Sequence, residues 1–452
     1  MHKKITKQLL KLIPGGSHTY SRGFDQFPKN APEILKKGKG AYIYDQNEKK
    51  LLDYGMGLRS VNIGYAEKLI NTAAFKQINN GNNLTRPSTI ELKAAQTLVN
   101  AIDSVDMVKF TKNGSTAVTA AVKLARAYNN KKIVLRCLDH PFFSFDDWFI
   151  GSTVIKKGIP EEISKLTDTF FYNDIESLKK KIKKYKNKVS CVVLEPAALE
   201  CPRIKDQVGC CGKAKCDRNY EKNKHFLKEV ENVCRENKIV FILDEMITGF
   251  RWDLKGAQNM YNLDPDISTF GKAMANGFSV SAVCGKKKFM ELGSIEKKGK
   301  ERVFLLSTTH GAEMSGLGAF VETYSFLKSR DVINKNWNYG SKLVFEANKI
   351  ADKLNIREFF YLSGVACSPY YVCKDQNHKI SLEFRTLFMQ EMLNNKVLMP
   401  WISIAYRHKT KEFDMTMNAI ENALNVYKKA LANGVKRYLK GPTVKPVFRR
   451  YN

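Results

Sequence analysis

The chain contains no apolar run approaching the roughly 20 residues that a helix needs to cross a bilayer, which excludes a helical membrane protein. Acid is scarce: 45 Asp and Glu stand against 75 Lys and Arg, for a formal charge of +30. Cysteine is sparse as well, with ten in 452 residues, too few for a disulfide scaffold, so a reducing compartment is expected. Internal repeats and low-complexity tracts are missing, which excludes a solenoid and a disordered linker protein. The lysines sit in no zinc-finger, RNA-recognition or helix-turn-helix pattern. The charge therefore reads as a solvated surface, and no nucleic-acid partner is expected. A positive field still favours the arrival of phosphate-bearing ligands. Met1–Ile13 has leucines at helical spacing, but Lys7 and Lys11 interrupt any signal-peptide core, so a short surface helix is the reading. A soluble cytoplasmic protein without a membrane partner is expected.

What is present is a globular composition, 43% apolar, in a chain long enough for two lobes with a core each. Short β-branched or apolar runs at Ile133–Leu135, Val189–Leu194, Ile239–Leu243 and Val280–Cys284 read as buried strands. Ser115–Tyr128, Ile175–Tyr185 and Tyr220–Asn237 carry apolar residues at helical spacing. Strands alternating with helices predict an α/β fold with a mostly parallel sheet covered on both faces. Ligands in such sheets sit at the carboxyl ends of strands and at helix amino termini. The expected division is a leading segment at 1–70, a large α/β domain at 71–320, a smaller α+β domain at 321–435 and a basic tail at 436–452. Cys137, Cys191, Cys234 and Cys284 lie in or beside apolar runs, as small core residues do.

The strongest local signal is Val240-Phe241-Ile242-Leu243-Asp244-Glu245-Met246-Ile247-Thr248-Gly249-Phe250-Arg251, a buried strand ending in two carboxylates and a glycine turn. Downstream, Ser268-Thr269-Phe270-Gly271-Lys272 delivers one lysine beside glycine. In a partly dry place its ammonium is destabilised, which makes the neutral amine needed for carbonyl chemistry accessible. Upstream, Lys112-Asn113-Gly114-Ser115-Thr116 opens a helix and offers backbone N–H groups, a hydroxyl and the positive end of the helix dipole to a phosphate. Each feature alone is weak, since a Gly-Ser start is commonly a plain cap, a strand-end Asp structural and a Gly-Lys pair surface.

Together and in this order they resemble the class-III aminotransferases, most closely the glutamate-1-semialdehyde 2,1-aminomutase branch. The likeness runs from Ile13-Pro14-Gly15-Gly16 to about Tyr427. It implies the fold type I of pyridoxal-phosphate enzymes, with a large domain, a smaller α+β domain and a homodimer whose sites form at the subunit interface. Lys272 is then the lysine that carries pyridoxal 5'-phosphate and moves the proton, and Asp244 pairs with the pyridine nitrogen. Gly114 and Ser115 fall where the phosphate binds, and Thr308 where a threonine of the partner subunit reaches that phosphate. Met246 would press on the ring. Glu195, in Leu194-Glu195-Pro196, and Glu200 fall near the substrate, and Arg22 falls where the aminomutases grip a substrate carboxylate.

Where the family carries Tyr-His-Gly, this chain has Leu138-Asp139-His140-Pro141-Phe142, which leaves either His140 or Phe142 to stack on the cofactor. Thr116 replaces the usual acid. The stretch Asp53-Tyr54-Gly55-Met56-Gly57-Leu58-Arg59 adds Arg59 near the expected substrate entrance, which suits a carboxylated, phosphorylated or sugar-derived substrate. Cys201, Cys210, Cys211 and Cys216 cluster in one segment whose spacing fits neither a zinc site nor a ferredoxin run. Free thiols are the main reading there, with metal and a redox disulfide as alternatives. Three activities stay open: an aminotransferase acting on a small carbonyl substrate, an aminomutase, and a non-catalytic protein that keeps the fold.

Overall fold

The structure, a computed structural model, describes residues 4–197, 200–203, 224–311 and 313–451. Among these, one compact unit takes the residues up to 67 together with 334–451, and the other takes the residues from 68 to 333. Cys210, Cys211 and Cys216 lie outside the described residues, while Cys201 and the four core cysteines are buried. No helix among the described residues is long and apolar enough to cross a membrane.

The 68–333 unit is built on a seven-stranded sheet. Its strands in chain order are β1 (Met107–Thr111), β2 (Ile133–Cys137), β3 (Thr167–Phe170), β4 (Val189–Leu194), β5 (Val240–Glu245), β6 (Ile267–Phe270) and β7 (Ser281–Gly285). They lie side by side in the order β1-β7-β6-β5-β4-β2-β3. Only β7 runs against its neighbours, β1 and β6, and every other pairing is parallel. The inner strands are buried along their whole length, as a sheet covered on both faces requires, and this is why β4 and β5 read as unbroken apolar runs. Edge strands β1 and β3 are only partly buried, so they lack that signal.

Local chemistry starts the covering helices. Asn113 caps Gly114–Asn129 through Thr116 N at 2.9 Å, and Asp174 caps Ile175–Tyr185 through Ser177 N at 2.9 Å, each contact satisfying an amide left over by the first turn. Helix Met314–Ser329 packs against Lys68–Asn79. Gly318 permits the approach, since a Cβ there would lie 2.9 Å from the Ala73 carbonyl oxygen.

The other unit joins the two ends of the chain. Strands Leu35–Lys39, Tyr42–Asp45 and Lys50–Asp53 form an antiparallel set, extended in parallel by Val397–Leu398. Leu52 and Tyr54 of the leading segment share a core with Phe360, Phe388, Leu424 and Tyr427. Each such buried side chain stabilises the fold by about 1.5–3 kcal/mol, which holds a segment far away in sequence. The basic tail is tied here too: Val444 N donates to Thr386 Oγ1 at 3.0 Å, Lys445 N to Asp25 O at 3.0 Å, and Arg449 pairs with Asp25 at 2.6 Å.

Candidate active site

Adjacent residues on a strand face opposite ways, and the two carboxylates ending β5 accordingly serve different ends. Glu245 is fully buried and accepts from the Thr248 hydroxyl, Ala257 N at 2.9 Å and Gln258 N at 2.8 Å. It clips the chain that follows β5. Asp244, 2% exposed, accepts through Oδ1 from Met246 N at 3.0 Å and from the Thr269 hydroxyl at 2.9 Å. Thr269 is its ladder partner on β6. Burial pushes the Asp244 carboxyl up to about 6, while the charge of Lys272 and these two donors pull the other way. A buried acid held this way is suited to meet a cationic ring nitrogen.

Lys272 follows β6. Gly271 is extended, and Lys272 then turns left-handed, at φ +44°, into a short 3-10 helix, Lys272–Ala275, with its side chain partly buried. Two glycines show how closely the strand ends meet. A Cβ on Gly114 would lie 2.8 Å from the Met246 sulfur, and one on Gly271 would lie 2.6 Å from the same atom and 2.5 Å from Ser281 Oγ. The Met246 thioether therefore touches both the start of the helix and the residue before the lysine. Gly114, Met246, Asp244 and Lys272, singled out separately in the sequence, converge on one end of the sheet.

Beside them Ser115 is 6% exposed, and its hydroxyl accepts from Phe145 N at 3.2 Å, which leaves its own proton to donate. A 16-residue helix begins there, and its dipole favours an anion. His140, 2% exposed, accepts at Nδ1 from Glu195 N at 2.9 Å. Burial, and then the charge of Arg136, push this imidazole down to about 3. The ring is neutral, and its proton belongs on Nε2, which has no hydrogen-bond partner among the described residues. Phe142 is 46% exposed and meets Phe149 edge-on at 5.6 Å.

Of the remaining candidates, Glu195 joins this cluster through its backbone N–H to His140. Glu195 is buried beside His140. Glu200 is exposed and accepts from Arg203 at 3.3 Å and Asn173 at 3.2 Å. Thr308 is exposed, and its carbonyl accepts from Gly311 N at 3.2 Å. Arg22, exposed, and Arg59, partly buried, belong to the other unit. Sequence reading missed Thr269, whose role follows only from strand register, and the ion pair of Lys112 with Glu313, whose carboxylate also accepts from Asn82 at 2.8 Å.

The residues present fit the pyridoxal phosphate implied by the resemblance: an amine on Lys272, a buried carboxylate, a helix start with a free hydroxyl proton, and glycines where a Cβ would intrude. The family model for aminotransferase class III matches residues 25–359. A glutamate-1-semialdehyde 2,1-aminomutase of Wigglesworthia glossinidia brevipalpis is 28% identical over 447 residues, covering 94% of this chain and 98% of the relative. A 3-aminobutyryl-CoA aminotransferase of Cloacimonas acidaminovorans is 27% identical over 437 residues, covering 94% and 97%. Among solved structures, the FumI protein of Sphingopyxis sp. MTA144, in its PLP internal aldimine form, superposes with a TM-score of 0.81 at 21% identity, over 95% of this chain and 97% of that one.

Proposed function

The chain belongs to the class-III aminotransferases, and from that premise we propose that it moves an amino group from a donor to a small carbonyl substrate that carries a carboxylate, a phosphate or a sugar. It is an enzyme of the pyridoxal 5'-phosphate class. When bound, the cofactor supplies an electron sink for the pair left on the substrate carbon after its proton departs. The residues of this chain do the rest. Asp244 keeps a proton on the ring nitrogen by its charge. Ser115 and the amides from Gly114 onward hold the phosphate. The Lys272 amine takes the proton from the substrate carbon and returns it. Neutral His140 and the Met246 thioether would line the ring. Thr308 of a second copy completes the phosphate contacts, so the working form is a homodimer, and the cell compartment is the cytoplasm. Arg22 and Arg59 bind substrate anions, with Glu195 and Glu200 on the substrate side.

The observation that carries this reading is the convergence of Gly114, Met246 and Gly271 within one side chain's reach, beside Asp244 and Lys272. The wild-type protein is expected to take up pyridoxal phosphate with a visible absorption band, and Lys272→Ala to lose both that band and turnover, by about 10⁴-fold or more. A wild-type protein without the band, or a variant that retains it, overturns the reading. Names among the relatives favour a second activity, an aminomutase that moves nitrogen within one molecule. A ¹⁵N-labelled amino donor separates the two: stoichiometric label in the product means transfer, and unlabelled product means internal migration.

A further inference from the structure

Resting on the reading just given, the 68–333 unit carries a further ligand-directed group at the same site. A backbone N–H can only donate, so the contact from Glu195 N to His140 Nδ1 at 2.9 Å makes Nδ1 the acceptor and leaves the ring proton on Nε2. Nε2 is buried, on a residue 2% exposed, and has no hydrogen-bond partner among the described residues. A buried donor left unsatisfied costs about 1–3 kcal/mol. In a folded chain such a group calls for a ligand or a water.

The surroundings fix where this N–H points. Leu138 N donates to Phe170 O at 2.8 Å and Tyr172 N to Asp139 at 2.7 Å, which ties the start of the 138–146 loop to the end of β3. Ser144 Oγ donates to Ser115 O at 3.3 Å and Phe145 N to Ser115 Oγ at 3.2 Å, which ties its far end to the start of helix Gly114–Asn129. Between these ties the imidazole packs against Tyr172 at 5.0 Å and Phe143 at 6.0 Å. Turning the ring over would break the bond from Glu195 and orphan a buried amide instead.

Strand register brings this group beside the cofactor residues. Leu194 of β4 stands opposite Leu243 of β5, so the next residues, Glu195 and Asp244, end adjacent strands about 4.8 Å apart. Glu195, whose amide sets the His140 tautomer, therefore neighbours the acid paired on its other side with Thr269. The far tie of the loop reaches Ser115, next to Gly114 and the Met246 sulfur. His140 is held between the part of the site that meets the ring nitrogen and the part that meets the phosphate.

We propose that His140 is a neutral hydrogen-bond donor, through Nε2–H, to an anionic oxygen of the bound pyridoxal phosphate, and that the Glu195 amide positions it. A phenyl ring in this place would supply area but no proton. A lysine or arginine would donate, but would set a cation against the protonated ring nitrogen that Asp244 favours.

Equilibrium titration of the unloaded protein with pyridoxal phosphate tests this in wild type, His140→Phe and His140→Gln. The Phe variant is expected to bind about 10- to 100-fold more weakly, the loss of one hydrogen bond to a charged acceptor. Gln, which offers an N–H in place of Nε2, should recover to within about 5-fold of wild type. Proton spectra in water should show a downfield imidazole N–H resonance in the loaded wild type that moves back on removal of the cofactor and is missing from His140→Gln. Parallel titrations with pyridoxal locate the oxygen: a loss confined to pyridoxal phosphate places it on the phosphate, and an equal loss for both places it on the ring. A folded His140→Phe protein that binds pyridoxal phosphate within about 2-fold of wild type overturns the donor and leaves the N–H to a water. So does a loss as large in Gln as in Phe with an N–H resonance that the cofactor does not move, which is the mark of a purely structural histidine. Wild type without the Lys272 band fails the cofactor reading itself, whereas wild type with the band and unaffected His140 variants fails only the donor.

Discussion

Lys272 and Arg59 are both cations on non-glycine residues in left-handed backbone, at φ +44° and +65°, yet the molecule holds them by different means. Lys272 leaves the end of β6, which is paired on both sides by β5 and β7, and the sheet itself supplies the frame. Arg59 ends a run of four left-handed residues, Met56 to Arg59, that carries about 1–2 kcal/mol of strain at each non-glycine position, offset by hydrogen bonds from Gly55 N, Met56 N and the Tyr65 hydroxyl to the Asp53 carboxylate, from Ser60 Oγ to Gly57 O and from Trp401 Nε1 to Gly55 O. A frame made of strands needs a short, contiguous motif. A frame made of side chains draws on residues hundreds of positions apart.

The largest effect is expected in the strand-framed region. Asp244→Asn keeps the shape of the acceptor but not its charge, and should lower kcat by about 10²–10³-fold, the cost of removing one preorganised electrostatic partner. The same residue sets a pH dependence. Its carboxyl is pushed up to about 6 by burial, so acidification through that value protonates it and removes the charge that favours a protonated ring. Cofactor affinity of the unloaded protein, measured by equilibrium titration, should fall below pH 6 in wild type and lack that limb in Asp244→Asn. An unchanged limb in the variant would mean that the strand-end acid is not what the cofactor meets.

Next in size is Glu245→Gln, which tests whether β5 and the chain after it form one frame. Two amides and a hydroxyl point at this carboxylate, and an amide in its place turns an N–H₂ toward a donor, at about 2–3 kcal/mol for an unsatisfied buried group. Thermal melting should show a lower midpoint. Burial also raises this carboxyl from 4.5 to about 7, so the folded chain holds its proton more tightly than the unfolded one. Stability then declines as pH rises from 4.5 through about 7. The Gln variant should lose that slope, and a slope that survives would assign it to another group.

The same contrast explains what the sequence discloses. β4 and β5 are buried on both faces, so their composition is nearly pure apolar, and the Asp-Glu and Gly-Lys motifs sit at strand ends where an α/β sheet binds ligands. β6 escaped notice because Ser268 and Thr269 interrupt its apolar pattern, although Thr269 is there to serve Asp244. β1 and β3 are partly buried edges without alternation clear enough to read. The left-handed turn had no local signal beyond Gly55 and Gly57: nothing in a β-region or helical pattern announces a left-handed Leu58. Its supports at Asp53, Tyr65 and Trp401 are brought together only by the tertiary fold. The division at 67/68 and at 333/334 likewise depends on a core shared by Leu52, Tyr54, Phe388 and Leu424, which no window of sequence contains.

The smallest effects separate the two frames most sharply. Gly271 is extended at φ −179°, so alanine suits its backbone and only packing objects, through Met246 at 2.6 Å and Ser281 at 2.5 Å. Gly57 is left-handed at φ +59°, with Ser60 Oγ 2.8 Å from a Cβ built on it. Each alanine substitution should cost about 1–2 kcal/mol, one from overpacking and the other mostly from backbone conformation. Double-mutant cycles on melting stability distinguish the causes. Met246→Ala gives the added methyl in Gly271→Ala somewhere to go, so the pair should couple favourably by about 1 kcal/mol. Ser60→Ala should not rescue Gly57→Ala, because removing a hydroxyl leaves φ where it was and also deletes the bond to Gly57 O at 2.6 Å. Rescue of Gly57→Ala by Ser60→Ala would show that the turn is limited by packing like the strand ends, and the distinction between a cation framed by a sheet and one framed by strain would fall.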